Sequence, residues 1–243
     1  MVLSKGRKMA SSKPNYNIVF LHGPLGTSKD LGPLIEIFRM KGHQPHTFDF
    51  SGHGPGNKNF EGFRVDSFAK ELDLFLKKNN IKSAAIFGYS LGGYIALYHK
   101  AHFEDSPISF ITTYGTKFNW SPKILSREMT MLDPEYIISK LPQLAETLHE
   151  KHGEDWKMVL KSTAHMFQNL ERLDGLTKED LEDIDIPITL VHGDQDRTVT
   201  SEETQLTSSW LRRARVKTLA NSKHELDKVN LKELTEMIEE NLE

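Results

Sequence analysis

Apolar runs of strand length alternate with segments of helical periodicity along most of this chain, and that alternation limits its possible folds more than any other feature. The runs are Asn17–Leu21, Gln44–Phe50, Ser83–Phe87, Ile108–Tyr114, Ile188–Val191 and Val216–Leu219. Between them, Phe63–Lys78 places Phe68, Leu72, Phe75 and Leu76 on one face, with Asp66, Lys70, Glu71 and Lys77 largely elsewhere. Leu226–Leu242 repeats the pattern through Val229, Leu231, Leu234, Ile238 and Leu242. Strands that are apolar throughout need cover on both faces, and helices with one apolar stripe supply it. The pattern predicts an α/β fold of βαβ units around a mostly parallel sheet flanked by helices.

The rhythm breaks once, where roughly 70 residues between Tyr114 and Ile188 carry helical periodicity and no strand pattern. Asp133–Lys140, Leu141–Lys151, Asp155–Asn169 and Lys178–Asp183 read as short helices, with Pro122, Pro134 and Pro142 at helix starts, where a missing N–H costs nothing. A structureless loop of that length does not suit a compact domain. We therefore expect a helical insertion over residues 116–185, between core segments 16–115 and 186–243. Residues 1–15 carry Lys5, Arg7, Lys8 and Lys13 among small polar residues without the apolar stretch of a signal peptide, and are expected to form a flexible tail.

Composition removes several function classes. The chain has 243 residues and no cysteine, which excludes disulfides, a thiolate nucleophile and cysteine-based zinc sites. Lys+Arg 31 against Asp+Glu 34 leaves a formal charge of −3, too little positive field to draw nucleic acid. No apolar run reaches the 18 or so residues of a membrane span, so a cytoplasmic location is expected. Chemistry falls to Ser, His, carboxylates, Lys or Tyr. No histidine pairs with a carboxylate at metal-ligand spacing, and no glycine-rich loop has phosphate-binding spacing, so neither metal nor cofactor is expected.

The strongest local signal is Gly88-Tyr89-Ser90-Leu91-Gly92, followed by Gly93, between the buried run Ala84–Phe87 and the helical Tyr94–His102. A serine on so sharp a strand-to-helix turn has its hydroxyl lifted clear of the sheet, and glycines two residues to either side let strand and helix close up. The Leu91 N–H then sits at a helix N-terminus, free to donate to a developing oxyanion. A serine hydroxyl needs a base, and the base needs a carboxylate to orient it. Val191-His192-Gly193-Asp194-Gln195-Asp196-Arg197-Thr198-Val199 ends a strand with two candidate acids, and Asn221-Ser222-Lys223-His224 follows the last strand. Like Ser90, these fall at C-terminal strand ends, the edge of a parallel sheet where ligands bind, and in the chain order Ser, acid, His.

With these motifs in hand the sequence resembles the α/β-hydrolase superfamily with a helical lid. The resemblance covers residues 17–243 and rests on Leu21-His22-Gly23, Asp49-Phe50-Ser51-Gly52-His53-Gly54, Gly88–Gly93, Gly193–Val199 and His224. It implies a Ser90–His224–Asp196 triad, because the acid lies three residues after the strand-end glycine and three before a small apolar residue; Asp194 is then a turn residue. It also implies structural roles for His22 and His53, while His43, His46, His99, His102, His149 and His152 read as scattered on polar faces. One oxyanion donor is implied to be Leu91 N–H, and the second normally follows His-Gly. That position is Pro24, which has no N–H, so Leu25 is expected to donate instead. His224 is preceded by Asn221-Ser222-Lys223 where the family has Gly-x-Gly or similar.

The insertion is rich in large apolar side chains suited to an acyl chain or small aromatic group, and Tyr89, Trp120, Trp156 and His165 are the candidate pocket residues. The resulting expectation is a cofactor-free serine hydrolase acting on a small-molecule carboxylic ester or thioester. The same framework also serves C–C hydrolysis, lyase chemistry and cofactor-free perhydrolysis, and with an impaired oxyanion hole it would serve ligand binding.

Overall fold

The computed structural model describes residues 15–55, 59–172 and 175–242. Most of the expected N-terminal tail lies outside the described residues. Six strands, β1 (Asn17–Leu21), β2 (Gln44–Thr47), β3 (Ala84–Tyr89), β4 (Ile108–Tyr114), β5 (Ile188–Gly193) and β6 (Ala214–Leu219), form one sheet in the order β2-β1-β3-β4-β5-β6. Every pairing is parallel. The helices are α1 (Gly32–Met40), α2 (Val65–Lys78), α3 (Leu91–His102), α4 (Pro122–Met131), α5 (Pro134–Lys140), α6 (Pro142–His152), α7 (Trp156–Arg172), α8 (Lys178–Glu182), α9 (Ser201–Ser208) and α10 (Leu231–Glu239).

The period-2 geometry of the strands divides the core into two layers. In β1, Val19 and Leu21 join the cluster that α2, α3 and α7 cover, whereas Ile18 and Phe20 join the cluster beneath α1 and α10. Phe20 meets Phe38 of α1 at 5.5 Å and Phe87 of β3 at 5.9 Å between ring centroids. On the other face Phe50 stacks on Phe68 of α2 at 4.9 Å. Burial on both faces is what the apolar runs require.

Several boundaries differ from the sequence reading. The second strand stops at Thr47 rather than Phe50, because Asp49 turns away to accept the Ser28 N–H at 2.5 Å. The final segment is not one helix over Leu226–Leu242: a single 3₁₀ turn, Leu226–Lys228, precedes α10, and Asn230 caps the new helix by accepting the Glu233 N–H. The stretch between β4 and β5 holds α4 to α8, with Pro122, Pro134 and Pro142 each in the first turn of its helix. Among the described residues no helix is long and apolar enough to cross a membrane.

Candidate active site

Ser90 occupies the turn between β3 and α3 at φ 51°, ψ −116°, a region that a residue with a Cβ rarely adopts. The turn is sharp because the neighbouring backbones touch. A Cβ on Gly88 would lie 2.3 Å from Gly93 N, and one on Gly92 2.4 Å from the Leu21 carbonyl oxygen. The Ser90 N–H donates to Tyr114 C=O at 2.8 Å and the Ser90 C=O accepts the Thr116 hydroxyl at 2.9 Å, so β4 fixes the turn from the side.

The partners arrive from β5 and β6. His224 Nδ1 lies 2.8 Å from Asp196 Oδ2, and Asp196 Oδ1 accepts the N–H groups of Thr198 at 2.7 Å and Val199 at 2.9 Å. The Asp196 side chain is wholly buried. That burial raises its pKa, but the His224 hydrogen bond and charge and the two backbone N–H groups outweigh it and leave the carboxyl below its ordinary range. An ionised acceptor at Nδ1 orients the imidazole and selects, for the neutral ring, the Nδ1–H tautomer with its lone pair on Nε2, the one a general base needs. Asp194 is used differently: its Oδ1 accepts the Ser222 N–H at 3.0 Å and ties the β5 turn to the loop carrying His224. The Tyr114 hydroxyl donates to Lys223 C=O from below. Asn221 sits at φ 52°, the left-handed conformation that asparagine tolerates, so the loop needs no glycine there.

Tyr89 lies beside His224, 5.6 Å between ring centroids, and burial pushes its hydroxyl pKa up, keeping a neutral phenol against the imidazole. Among the described residues no hydrogen bond joins the Ser90 hydroxyl to His224; such bonds commonly tighten only once substrate is bound. The other candidate pocket residues sit in different local surroundings. Trp120 packs on Phe167 at 4.5 Å. Trp156 is buried and lines a shallow cleft with His149 and Glu150. His165 is exposed and lines a separate cleft of about 290 Å³ with Phe60, Phe63 and Lys161.

Leu91 N–H opens α3, and Leu25 N–H lies in the turn closed by Gly26 N–H donating to Gly23 C=O at 3.1 Å. Among the described residues neither amide has a hydrogen-bond acceptor. The turn lies against Ser90, since a Cβ on Gly23 would be 3.4 Å from Ser90 Cβ. His22 and His53 brace it. His22 Nδ1–H donates to Gly23 C=O at 2.8 Å while Nε2 accepts Phe50 N–H, and His53 Nε2 lies 2.8 Å from Pro24 C=O.

His152, expected on a polar face, is 2% exposed. It ends α6 and reaches the same turn, with Nε2 3.2 Å from Leu25 C=O and Nδ1 accepting Gly54 N–H at 3.1 Å. His99 is likewise fully buried, packed flat on Phe103 at 4.4 Å. The helical periodicity of α6 gives no sign that its last histidine turns inward. Among the described residues no group of three His, Asp or Glu side chains is arranged to hold a metal ion.

Comparison with known proteins places the fold and the family. The profile of the serine aminopeptidase S33 family matches residues 12–228. Among curated relatives, a probable alcohol acetyltransferase of Cyberlindnera jadinii is 32% identical over 81 residues, 33% of this chain and 23% of that protein. A 2-succinyl-6-hydroxy-2,4-cyclohexadiene-1-carboxylate synthase of Yersinia pestis is 34% identical over 87 residues, 35% of this chain and 30% of the relative. The matched stretch thus spans under a third of either relative's length. Two solved structures share the fold over nearly their whole length. NosK from Streptomyces actuosus has a TM-score of 0.78 at 21% identity, covering 93% of this chain and 97% of its own. MenH from S. aureus has a TM-score of 0.73 at 23% identity, covering 96% and 95%. With the family profile spanning both ends of the sheet and the six parallel strands in this order, the chain belongs to the serine aminopeptidase S33 family of the α/β-hydrolase superfamily.

Proposed function

We propose that this protein is a serine hydrolase of carboxylic esters or thioesters, with Ser90 as nucleophile, His224 as general base and acid, and Asp196 as the carboxylate that orients the imidazole. The observation that carries the reading is the 2.8 Å His224 Nδ1–Asp196 Oδ2 pair at the same sheet edge as a serine held on a strained turn. In the first step Ser90 Oγ bonds to the acyl carbon as its proton passes to His224 Nε2, and the carbonyl oxygen takes the negative charge. Leu91 N–H and Leu25 N–H receive that charge. Collapse expels the alcohol or thiol, which takes the proton from His224 and leaves an acyl ester on Ser90. Water then repeats the sequence, losing its proton to His224 and releasing the acid and the free serine. The insertion between β4 and β5 acts as the lid over this site, and no cofactor enters any step.

A second reading keeps the same groups but assigns them to lyase or C–C bond chemistry, where His224 moves a proton and no acyl-enzyme forms. The synthase named among the relatives favours it. Labelling with a fluorophosphonate, located by peptide mass spectrometry, together with p-nitrophenyl esters of increasing acyl length, tests the first reading. It expects a stoichiometric adduct on Ser90, absent in Ser90→Ala, and hydrolysis well above that variant. An adduct without ester turnover at any chain length moves the second reading into first place, and no adduct removes the activated nucleophile.

A further inference from the structure

Resting on the serine-hydrolase reading, we infer that the helical insertion sets the second oxyanion donor: His152 of α6 and Thr163 of α7, working with His53, hold the two peptides around Leu25 so that Leu25 N–H is presented to the site. A trans peptide holds its C=O and N–H in one plane and pointing in opposite directions, and no cis bond occurs among the described residues. Pro24 C=O and Leu25 N–H belong to one such plane. The carbonyl is drawn to His53 Nε2 at 2.8 Å and to the Thr163 hydroxyl at 3.4 Å, which turns Leu25 N–H the opposite way, where it meets no acceptor among the described residues.

The next peptide is fixed as well. Its carbonyl, Leu25 C=O, accepts His152 Nε2–H at 3.2 Å, while His152 Nδ1 accepts Gly54 N–H at 3.1 Å. A ring that accepts at Nδ1 and donates at Nε2 must be neutral, and burial holds the His152 pKa down to about 4. The neighbouring Lys151 pairs with Asp30 at 2.8 Å, and the Asp30 carboxylate also accepts Thr27 N–H, so the far end of the turn is held by the same helix. His152 and Thr163 touch no reacting atom; they are positioning residues. Their contribution fits the departure at Pro24, because a donor moved one residue along the chain needs its orientation imposed from outside.

The test uses the full-length protein with Ser90 converted to its fluorophosphonate adduct, a tetrahedral mimic whose oxygen occupies the oxyanion position. In wild type the Leu25 and Leu91 amide protons both move downfield on adduct formation. In His152→Phe the Leu25 shift is lost while the Leu91 shift remains, and kcat falls roughly 10- to 100-fold with KM changed less than about threefold, less than the roughly 100- to 1000-fold loss for deleting such a donor. His152→Gln, whose amide N–H still reaches Leu25 C=O, recovers part of the rate. Thr163→Val gives a smaller loss of the same kind and carries the test if His152→Phe does not fold. An unaltered Leu25 shift in the variants overturns the inference. So does an Nδ1–H tautomer of His152 in the nitrogen spectrum of the free protein, which is read without any activity. Failure of wild type to form the adduct is a separate result that removes the hydrolase reading, and with it this donor.

Discussion

Asp196 faces His224 with one carboxylate oxygen, 2.8 Å from Nδ1, while Asp194, two residues earlier, gives its own to the Ser222 backbone. The two acids therefore predict opposite outcomes for one chemical change. Asp196→Asn puts an amide where an ionised acceptor holds the tautomer, and kcat on the best ester is expected to fall about 10⁴-fold at neutral pH. Asp194→Asn keeps an amide oxygen that still accepts Ser222 N–H, and activity is expected to stay within about tenfold, the scale of a single neutral hydrogen bond. Steady-state kinetics on the two variants decide between them, and the reverse ranking would transfer the acid role to Asp194.

The Ser90 turn stores strain that can be measured. A non-glycine residue held at φ 51°, ψ −116° costs on the order of 1–3 kcal/mol. Ser90→Gly removes the Cβ and relaxes that cost, less the roughly 0.5–1 kcal/mol of extra chain entropy that glycine brings to the unfolded state. A domain of this size shifts about 2–4 °C per kcal/mol, so Ser90→Gly should melt a few degrees above Ser90→Ala, which keeps the Cβ. Both should be inactive. Equal melting temperatures in calorimetry would mean the turn is not strained.

Much of this was legible in the sequence because the relevant residues announce themselves locally. The elbow is five consecutive residues whose glycines are dictated by backbone contact, and the central strands β1, β3 and β5 read as apolar runs because they are buried on both faces. The choice of Asp196 over Asp194 needed a family spacing, since the residues alone offer two equal acids. What stayed hidden depends on contacts between segments distant in the chain. Nothing near His152 in sequence shows that it meets Leu25, 127 residues away, and nothing near Glu203 shows that its carboxylate caps Phe118. The surroundings of the pocket residues were hidden for a related reason: large apolar groups in helices pack on whatever is adjacent, as Trp120 does on Phe167, and composition does not say which face that is.

The buried histidines predict an acid-sensitive fold. Burial lowers the pKa values of His22, His53, His99 and His152, the last two to about 4. Each then binds a proton near pH 6.5 in the unfolded chain but only at a lower pH in the folded one. Stability is therefore complete above about 6.5 and declines as the pH falls towards 4, by up to about 1.4 kcal/mol per pH unit for each such group. Glu71, whose carboxyl burial pushes up, acts in the opposite sense but is a single group. Asp196 adds its loss only below the ordinary carboxylate range. Urea midpoints between pH 7.5 and 4.5 should fall steadily; a flat profile would show that these rings are protonated in the folded state.

Glu203 of α9 fastens the start of the insertion to the core, its Oε1 accepting the N–H of Phe118 at 2.5 Å and of Asn119 at 2.6 Å. Two amides on one carboxylate oxygen make a charged cap on the chain segment leaving β4, beyond the bonds of Thr116 to Ser90 C=O and of Lys117 to Thr198 C=O. Removing it in Glu203→Ala should cost about 2–3 kcal/mol, with charge-assisted bonds worth roughly 1.5–3 each before water replaces them at this partly exposed position. The loss should be local before it is global. Trp120 follows Phe118 by two residues and rests on Phe167 of α7, so in a Trp156→Phe, Trp210→Phe background its emission reports this junction alone. Glu203→Ala should red-shift Trp120 emission and open it to acrylamide at urea concentrations where far-UV circular dichroism is unchanged. A shift that appears only with global unfolding would show that the helices between β4 and β5 are held by packing and that the carboxylate cap is dispensable.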